Sequence, residues 1–186
     1  MPQPSANCFT DADCARDYLE QVRWPKGAIC PGCAAKEAQK LTPAVSSKTH
    51  ARKGLYQCRA CRRQFSVTVG TLLEDAHTPL HKWLLAIYLM CSRKEGISAV
   101  QLQRDLSLGG YRTAWLMCHR VRWALQKNPM SALVKGVGQA YPLSSRKPLR
   151  IPLPWDQAVR GLLEVAQEPR DKIKSDRKVG AKMERR

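Results

Sequence analysis

Two Cys-x-x-Cys pairs constrain the fold of this chain more than any other feature. The first pair is Cys30 with Cys33 and the second is Cys58 with Cys61, with twenty-four residues between the pairs. Two thiolates three positions apart on a tight turn span one edge of a tetrahedron, so two such turns supply a closed four-sulfur site at Zn–S distances of about 2.3 Å. The spacing therefore predicts a zinc ribbon that holds one structural Zn2+ through these four cysteines.

Redox pairs or disulfides are the alternative explanation of the cysteines. No apolar signal segment opens the sequence, which predicts a cytoplasmic protein, and disulfides are rare in the cytosol. Two Cys-x-x-Cys pairs at this separation also fit a zinc site better than a single thioredoxin-like motif does. Of the other cysteines, Cys14, Cys91 and Cys118 lie among apolar residues and are predicted to be small core side chains, whereas Cys8 carries no pattern.

The length of 186 residues allows one medium domain or two small ones, and 6% aromatic residues indicate modest cores. A ribbon with so small a core needs its metal, because structural zinc contributes about 10–16 kcal/mol of apparent binding energy. The longest apolar run, Trp83 to Cys91, has nine residues. A membrane span needs about 18 or more, so no membrane partner is expected.

The formal charge of +17 is a second strong constraint, since 32 basic residues stand against 15 acidic ones. From Leu106 to Trp155 there are fifty consecutive residues without Asp or Glu. A solvated basic tail accounts for the charge after Lys172 but not for the charge in the middle of the chain. Such an excess predicts a polyanionic partner, and double-stranded DNA is the leading candidate.

Local patterns predict an α+β chain in which a small zinc-ribbon β domain precedes a three-helix, helix-turn-helix-like unit and a largely disordered basic tail. Thr10 is the expected cap of a first helix, and Trp24 the expected anchor between that helix and the ribbon. Short strands are expected at 40–42, 54–57 and 62–69. The predicted segments are a flexible arm (1–9), a helix plus ribbon (10–76), the helical unit (77–128), a linker (129–154), an amphipathic helix (155–167) and the tail (168–186).

The three helices of the middle segment have recognisable starts. Thr78-Pro79 opens the first, Ser98 and Gln101 have capping-box spacing for the second, in which Val100 is expected to point inward, and the third begins at Tyr111. A short turn before the last helix is typical of a helix-turn-helix, whose final helix enters the major groove. An ordinary three-helix bundle with a basic outer surface is the alternative.

Basic residues on two segments are candidate DNA contacts. Beside the second cysteine pair, a group of arginines could hold phosphate, although a solvated turn would look the same. On the third helix, a basic surface carries no acid, and its histidine has no second metal ligand at i±4. The candidates are Arg59, Arg62, Arg63, Arg112, His119, Arg120 and Arg122.

The amphipathic helix expected at 155–167 repeats apolar residues on one face, among them Trp155, Val159 and Leu162. An isolated helix of this length is marginal in water, so its apolar face needs a partner. That partner is either the helical unit of the same chain or another protein.

Taken together, the ordered motifs resemble the zinc-ribbon, N-terminal region of bacterial insertion-sequence transposases of the DDE type (ISXO-like), over about residues 8–127. The resemblance extends to Gly70-Thr71 and Thr113-Ala114-Trp115. Its main motifs are Arg23-Trp24-Pro25-x-Gly27, Cys30-Pro31-x-Cys33, Tyr56-x-Cys58-Arg59-x-Cys61-Arg62-x-Gln64-Phe65, Pro79-Leu80-x-x-Trp83, Lys94-x-Gly96-Ile97-Ser98-Ala99 and His119-Arg120-Val121-Arg122. The resemblance implies recognition of element-end DNA and a nucleoid-associated, cytoplasmic protein.

The family's catalytic domain is expected to be missing. Its acidic residues bind two metal ions, and the first of them is expected where this chain has its acid-free window. Only 59 residues follow Lys127, fewer than an RNase H-like domain needs. The sequence therefore predicts a truncated or derived transposase that binds DNA and has no catalytic residues. The alternative is a module that binds to or inhibits a full-length transposase. An active transposase is a less expected possibility.

One knuckle position departs from the family's usual residue. Ala34 stands where such knuckles usually have Gly. If this position requires a positive φ, the alanine costs about 1–2 kcal/mol, which a zinc site can offset.

Overall fold

The computed structural model of the chain describes residues 5–41, 53–127 and 148–166, and the predicted tail at 168–186 lies outside them. The described part is α+β, as predicted, with three strands and several helices. Its elements are a 3-10 turn (Ala6–Phe9), α1 (Ala12–Arg23), β1 (Ala38–Lys40), β2 (Leu55–Cys58), β3 (Gln64–Ser66), α2 (Leu80–Ser92), α3 (Ala99–Asp105), α4 (Tyr111–Leu125) and α5 (Trp155–Glu164).

Helix α1 starts one residue later than predicted. The Asp11 carboxylate accepts the backbone N–H groups of Asp13 (3.1 Å) and Cys14 (3.2 Å), so Asp11 rather than Thr10 is the cap. The Thr10 hydroxyl instead donates to the Asn7 carbonyl at 3.1 Å and belongs to the preceding turn. The predicted apolar face of α1 is buried, including Tyr18 and Leu19.

The three strands form an antiparallel sheet in the order β1-β2-β3, with Gln57 opposite both Gln39 and Gln64. Trp24, at the end of α1, is 8% exposed. Its ring lies edge-on to the rings of Tyr56 and Phe65, with centroids 5.3 and 5.7 Å apart. The prediction that Trp24 anchors the ribbon to the first helix is therefore confirmed.

The three helices predicted for the middle segment are present as α2, α3 and α4, and α3 packs closely against α4, whereas α2 makes its main helix contacts with α1 and α5. Ser98 caps α3 as predicted, because its hydroxyl accepts the Gln101 N–H at 3.2 Å. The inward orientation predicted for Val100 is wrong, since 45% of this residue is exposed. Leu102 is buried, and at about 100° per residue Val100 lies on the far side of the helix from it.

The end of the predicted linker is part of the core. Leu149 and Ile151 are fully buried, Ile97 and Leu149 exchange backbone hydrogen bonds, and Ile151 N–H donates to the Met90 carbonyl at 3.0 Å. Gly96 permits this approach, because a Cβ there would lie 3.0 Å from the Leu149 carbonyl oxygen. Residues 148–154 therefore do not act as a free linker.

Helix α5 packs against α1 and α2. The Trp155 indole N–H donates to the Tyr18 hydroxyl at 3.1 Å, and its ring also contacts Tyr88, with centroids 5.8 Å apart. Val159 and Leu162 are buried on the same face. Of the two partners considered for this amphipathic helix, the structure shows the one within the chain.

The described part of the predicted flexible arm is folded back onto the helices. Phe9 contacts Tyr88 and Trp155, with ring centroids 5.3 and 6.0 Å apart. Cys8 is buried and forms a disulfide with Cys14. Cys14, which was predicted to be a small core side chain, is instead half-buried and disulfide-bonded, because the 3-10 turn brings Cys8 back over the first turn of α1.

None of the described helices is both long enough and apolar enough to span a bilayer.

Candidate metal centre

The two cysteine turns, here called the first knuckle (residues 30–35) and the second knuckle (residues 58–63), repeat the same backbone hydrogen bonds. The Cys30 carbonyl accepts the Ala34 N–H, and the Cys58 carbonyl accepts the Arg62 N–H, both at 2.9 Å. In each knuckle the first cysteine donates its own N–H to the carbonyl five positions on, at 3.0 Å. The two turns therefore present their cysteines in equivalent ways.

Both knuckles contain a non-glycine residue with positive φ directly after the second cysteine. The φ angle is 57° at Ala34 and 58° at Arg62. Position 34 therefore does have a positive φ, and this left-handed backbone costs an L-residue such as Ala34 about 1–2 kcal/mol.

The four predicted cysteines converge on one point. The Sγ atoms of Cys30 and Cys61 are 3.6 Å apart, those of Cys33 and Cys58 are 3.5 Å apart, and all four lie within 4.8 Å of one another. Four thiolates around Zn2+ at about 2.3 Å have edges of about 3.8 Å, so the arrangement fits a tetrahedral site. The chain therefore binds one structural zinc ion, with sulfur at every coordination position.

Local hydrogen bonds shift the pKa values of two of the four cysteines in opposite directions. Burial opposes ionisation of Cys30, but the backbone N–H groups of Cys33 and Gly32 outweigh it and lower the pKa of Cys30 to about 6. The Ala35 N–H favours the Cys33 thiolate, yet hydrogen bonds with Cys58 and Cys61 raise the pKa of Cys33 to about 12. Zinc must displace the remaining protons, so zinc affinity rises with pH.

A polar contact fixes the sheet to α1 beside the aromatic anchor. The Tyr56 hydroxyl donates to Glu20 Oε2 at 2.7 Å, and Lys40 Nζ donates to the same oxygen at 2.9 Å. Burial, followed by this bond to the Glu20 carboxylate, raises the pKa of Tyr56 to about 12. The ribbon is therefore held on α1 by both apolar and charged contacts.

Two arginines donate hydrogen bonds to the segment that joins the ribbon to the helical unit. This segment (residues 67–76) is here called the connector. Arg23, from α1, donates from Nη1 to the carbonyls of Val67 (2.6 Å) and Val69 (2.8 Å). Arg120, from α4, donates from Nη1 to the carbonyls of Leu72 (3.3 Å) and Glu74 (3.2 Å). The connector is thus bonded to the first helix at one end and to the last helix of the unit at the other.

This contact changes the interpretation of α4. Sequence reasoning placed Arg120 among the DNA contacts, whereas its guanidinium binds the connector. His119 is fully buried and Arg122 is only 3% exposed. Their predicted place on an open basic surface is wrong, because that side of the helix is covered. Arg112, in the first turn of α4, is exposed as predicted.

The arginines of the second knuckle are exposed. Arg59, Arg62 and Arg63 all have open side chains, and Arg59 Nη2 donates to Gln39 Oε1 at 3.4 Å. None of the three forms an ion pair with a carboxylate in the described ranges. The predicted basic cluster beside the metal is therefore present as an open surface, whose role as a DNA contact stays a prediction.

Sequence reasoning did not assign a role to Arg23. Its signal was present, because Arg23 directly precedes the anchoring Trp24 in the motif ahead of the first knuckle. The acceptors, however, are carbonyls more than forty positions away, and carbonyls leave no mark in the sequence.

A closed four-sulfur site held by two equivalent knuckles beside a three-stranded antiparallel sheet defines a zinc ribbon. Residues 10–64 match the family described as transposase zinc-ribbon domain, of the IS1595 type. This segment is therefore a transposase zinc ribbon, as the resemblance of its motifs predicted.

The chain is also similar, over a stretch longer than the ribbon, to a protein of a transposable element. The chain is 31% identical over 111 residues to a protein of Halobacterium salinarum named as an uncharacterised protein in transposable element ISH50. The match covers 60% of this chain and 35% of that protein, so the chain spans about a third of the length of this relative. No solved structure matches the chain.

Proposed function

We propose that this chain is a DNA-binding protein derived from an insertion-sequence transposase, and that it needs zinc to bind. The observation that carries the proposal is the open cluster of Arg59, Arg62 and Arg63 on the second knuckle of a transposase zinc ribbon. Guanidinium groups form strong, bidentate hydrogen bonds with phosphate oxygens. The partner that best suits this surface and the net charge of +17 is double-stranded DNA.

The metal gives this surface its shape. Two of the four ligands, Cys58 and Cys61, flank Arg59, and Arg62 follows Cys61 directly. Zinc binding therefore holds the backbone that carries the arginines, although each side chain remains free to adjust to a phosphate. Loss of zinc is expected to weaken DNA binding through loss of this preorganised turn.

The connector supports a second contact at a fixed position. Arg23 and Arg120 bond it to both α1 and α4, so the ribbon and the helical unit form one arrangement. The exposed Arg112 lies in the first turn of α4, where a helix-turn-helix protein approaches the major groove. We assign phosphate contact to the second knuckle and place Arg112 on the second DNA-facing surface.

We also propose that the chain does not cut the DNA that it binds. In residues 5–41, 53–127 and 148–166, the four ribbon cysteines are the only group of three or more His, Cys, Asp or Glu side chains close enough to hold a metal. Sulfur fills all four positions of that site, whereas a catalytic metal needs an open position. Incubation with supercoiled DNA and Mg2+ or Mn2+ should produce no nicks or strand transfer.

The proposal is tested by binding of zinc-loaded protein to genomic DNA fragments, measured by fluorescence anisotropy between 50 and 200 mM salt. If six to ten phosphates are contacted, affinity should fall about 10³–10⁵-fold over this range. Arg59→Gln/Arg62→Gln should reduce the salt dependence by about two phosphate contacts. Lys26→Gln/Lys36→Gln, which removes the same charge from exposed sites outside the second knuckle, should reduce it less. Binding that is absent or insensitive to salt would exclude the proposal.

The alternative is an interaction module in which the ribbon and the helix at 155–166 bind a protein partner, and it needs the apolar face of that helix to be free. That face is buried against α1 and α2. No observation therefore favours this alternative over DNA binding.

A further inference from the structure

One arginine of the second knuckle folds back over the first. A Cβ atom added to Gly32 would lie 3.2 Å from Arg63 Nη1 and 3.4 Å from Arg63 Cδ. Gly32 stands between the two ligands of the first knuckle, Cys30 and Cys33, whereas Arg63 follows the ligand Cys61 of the second knuckle. The Arg63 side chain therefore reaches from the second knuckle to the first along the surface, while it stays exposed to solvent.

The metal site has an unbalanced charge that this guanidinium faces. Four thiolates and one Zn2+ sum to a net charge of −2, which local electrostatics must include. No carboxylate of the described residues forms an ion pair with Arg63, so the metal–thiolate cluster is a negative charge that its guanidinium can balance. A cation beside thiolates favours their ionised form and with it the bound metal.

We propose that Arg63 is a positioning residue of the zinc site, which bridges the two knuckles and balances the negative charge of the metal–thiolate cluster. Gly32 contributes to this arrangement, because it has no side chain that would crowd the Arg63 guanidinium. Arg62 carries the same charge one position earlier in an exposed, left-handed conformation, and no contact places it over the first knuckle. The inference rests on zinc binding alone and not on the proposed binding of DNA.

The test compares zinc affinities of the full chain, measured by competition with a chromogenic chelator at 50 and 500 mM salt. Substitution of a residue that supports metal ligands without binding the metal reduces metal affinity by about 10–100-fold. We expect the loss in Arg63→Gln to be near tenfold at 50 mM salt, because the residue is exposed. The loss should shrink at 500 mM salt, where charges are screened over a few ångströms. Arg62→Gln, the matched control, should change affinity less than about twofold, and Arg63→Lys should recover most of the loss.

A second variant probes the same geometry without removing the charge. A Gly32→Ala methyl group would crowd the Arg63 side chain at 3.2 Å and should weaken zinc binding in the wild-type background but have no further effect in Arg63→Gln. Equal losses in Arg63→Gln and Arg62→Gln would overturn the proposal, as would an Arg63→Lys protein as weak as Arg63→Gln. An additive effect of Gly32→Ala in the Arg63→Gln background would also overturn it. Zinc stoichiometry and circular dichroism at metal saturation establish that each variant folds.

Discussion

At the scale of single residues, the two left-handed positions of the knuckles carry a local cost that the metal offsets. Ala34 and Arg62 have nearly the same φ angle and the same hydrogen bond to the first cysteine of their knuckle. Glycine adopts this conformation without strain, whereas any L-residue with a Cβ does not. The strain is therefore a property of the turn and can be removed by one substitution.

Ala34→Gly is expected to stabilise the zinc-loaded protein by about 1 kcal/mol, because relief of strain exceeds the added freedom of glycine in the unfolded chain. The free energy of unfolding in urea measures this change. Ala60→Gly in the second knuckle is the control, since Ala60 is not among the positive-φ residues and should gain nothing. A loss of stability in Ala34→Gly would contradict the role given to its backbone.

The cysteines should separate into two reactivity classes. Burial raises the pKa of Cys91 to about 12 and of Cys118 to about 11, so both thiols stay protonated at pH 8. After zinc chelation the ribbon opens and the hydrogen bonds that raise the pKa of Cys33 are lost. Iodoacetamide at pH 8 should then modify the four ribbon cysteines much faster than these two, as read by peptide mass spectrometry. Zinc-loaded protein is the control, in which the ribbon cysteines should be protected. Rapid modification of Cys118 in the zinc-loaded protein would contradict its burial.

At the scale of elements, contacts distant in the sequence fix the positions of the N-terminal turn and the connector. The Cys8–Cys14 disulfide and the Phe9 ring attach the turn to α1 and to the aromatic cluster around Trp155. Arg23 and Arg120 fix the connector. Each of these contacts can be removed without touching the zinc ligands.

Cys8→Ser/Cys14→Ser should lower the free energy of unfolding by about 2 kcal/mol, the value expected for a disulfide that closes so short a loop. Urea unfolding of the variant and of wild-type protein, each with and without a phosphine reductant, measures the effect. Wild-type protein should lose stability on reduction, and the variant should not. Equal stability of oxidised and reduced wild-type protein would show that the bond does not secure the turn.

Arg120→Gln should destabilise the protein by about 2 kcal/mol, because two part-buried carbonyl groups lose a charged donor. Hydrogen exchange of the connector should increase at the same time. Arg112→Gln on the same helix removes an exposed arginine and should stay within about 0.5 kcal/mol of wild type. If both variants behave alike, Arg120 does not hold the connector.

At the scale of the whole molecule, we expect the fold of the ribbon to depend on the metal and the helices at 80–125 to stay folded without it. The ribbon core near the metal consists of few large side chains, among them Trp24 and Phe65, whereas α2, α4 and α5 bury many apolar residues. Removal of zinc by a chelator should therefore expose residues 28–41 and 53–66 to hydrogen exchange while residues 80–125 stay protected. Uniform loss of protection would show that the two parts unfold together.

The sequence predicted the contacts whose partners lie close together along the chain and missed those whose partners lie far apart. Cysteine spacing placed the metal site, and local caps such as Ser98 placed helix starts, because their partners lie a few positions away. Periodicity identified α5 as amphipathic but could not tell that α1 and α2 cover it. Arg120 lies forty-eight positions along the chain from Leu72, whose carbonyl it binds. The sequence therefore predicted a DNA contact for Arg120 and did not reveal this contact within the chain.

The doubly held connector makes the distance between the second knuckle and the first turn of α4 a fixed length. A duplex that touches both must present its two contact points at one rotational phase of the double helix, which repeats every 10 or so base pairs. Insertion of about five base pairs between the two contact points turns the second one to the opposite side. The protein would then select DNA sites by the distance between the two contact points, and this distance would discriminate among sites as strongly as base identity.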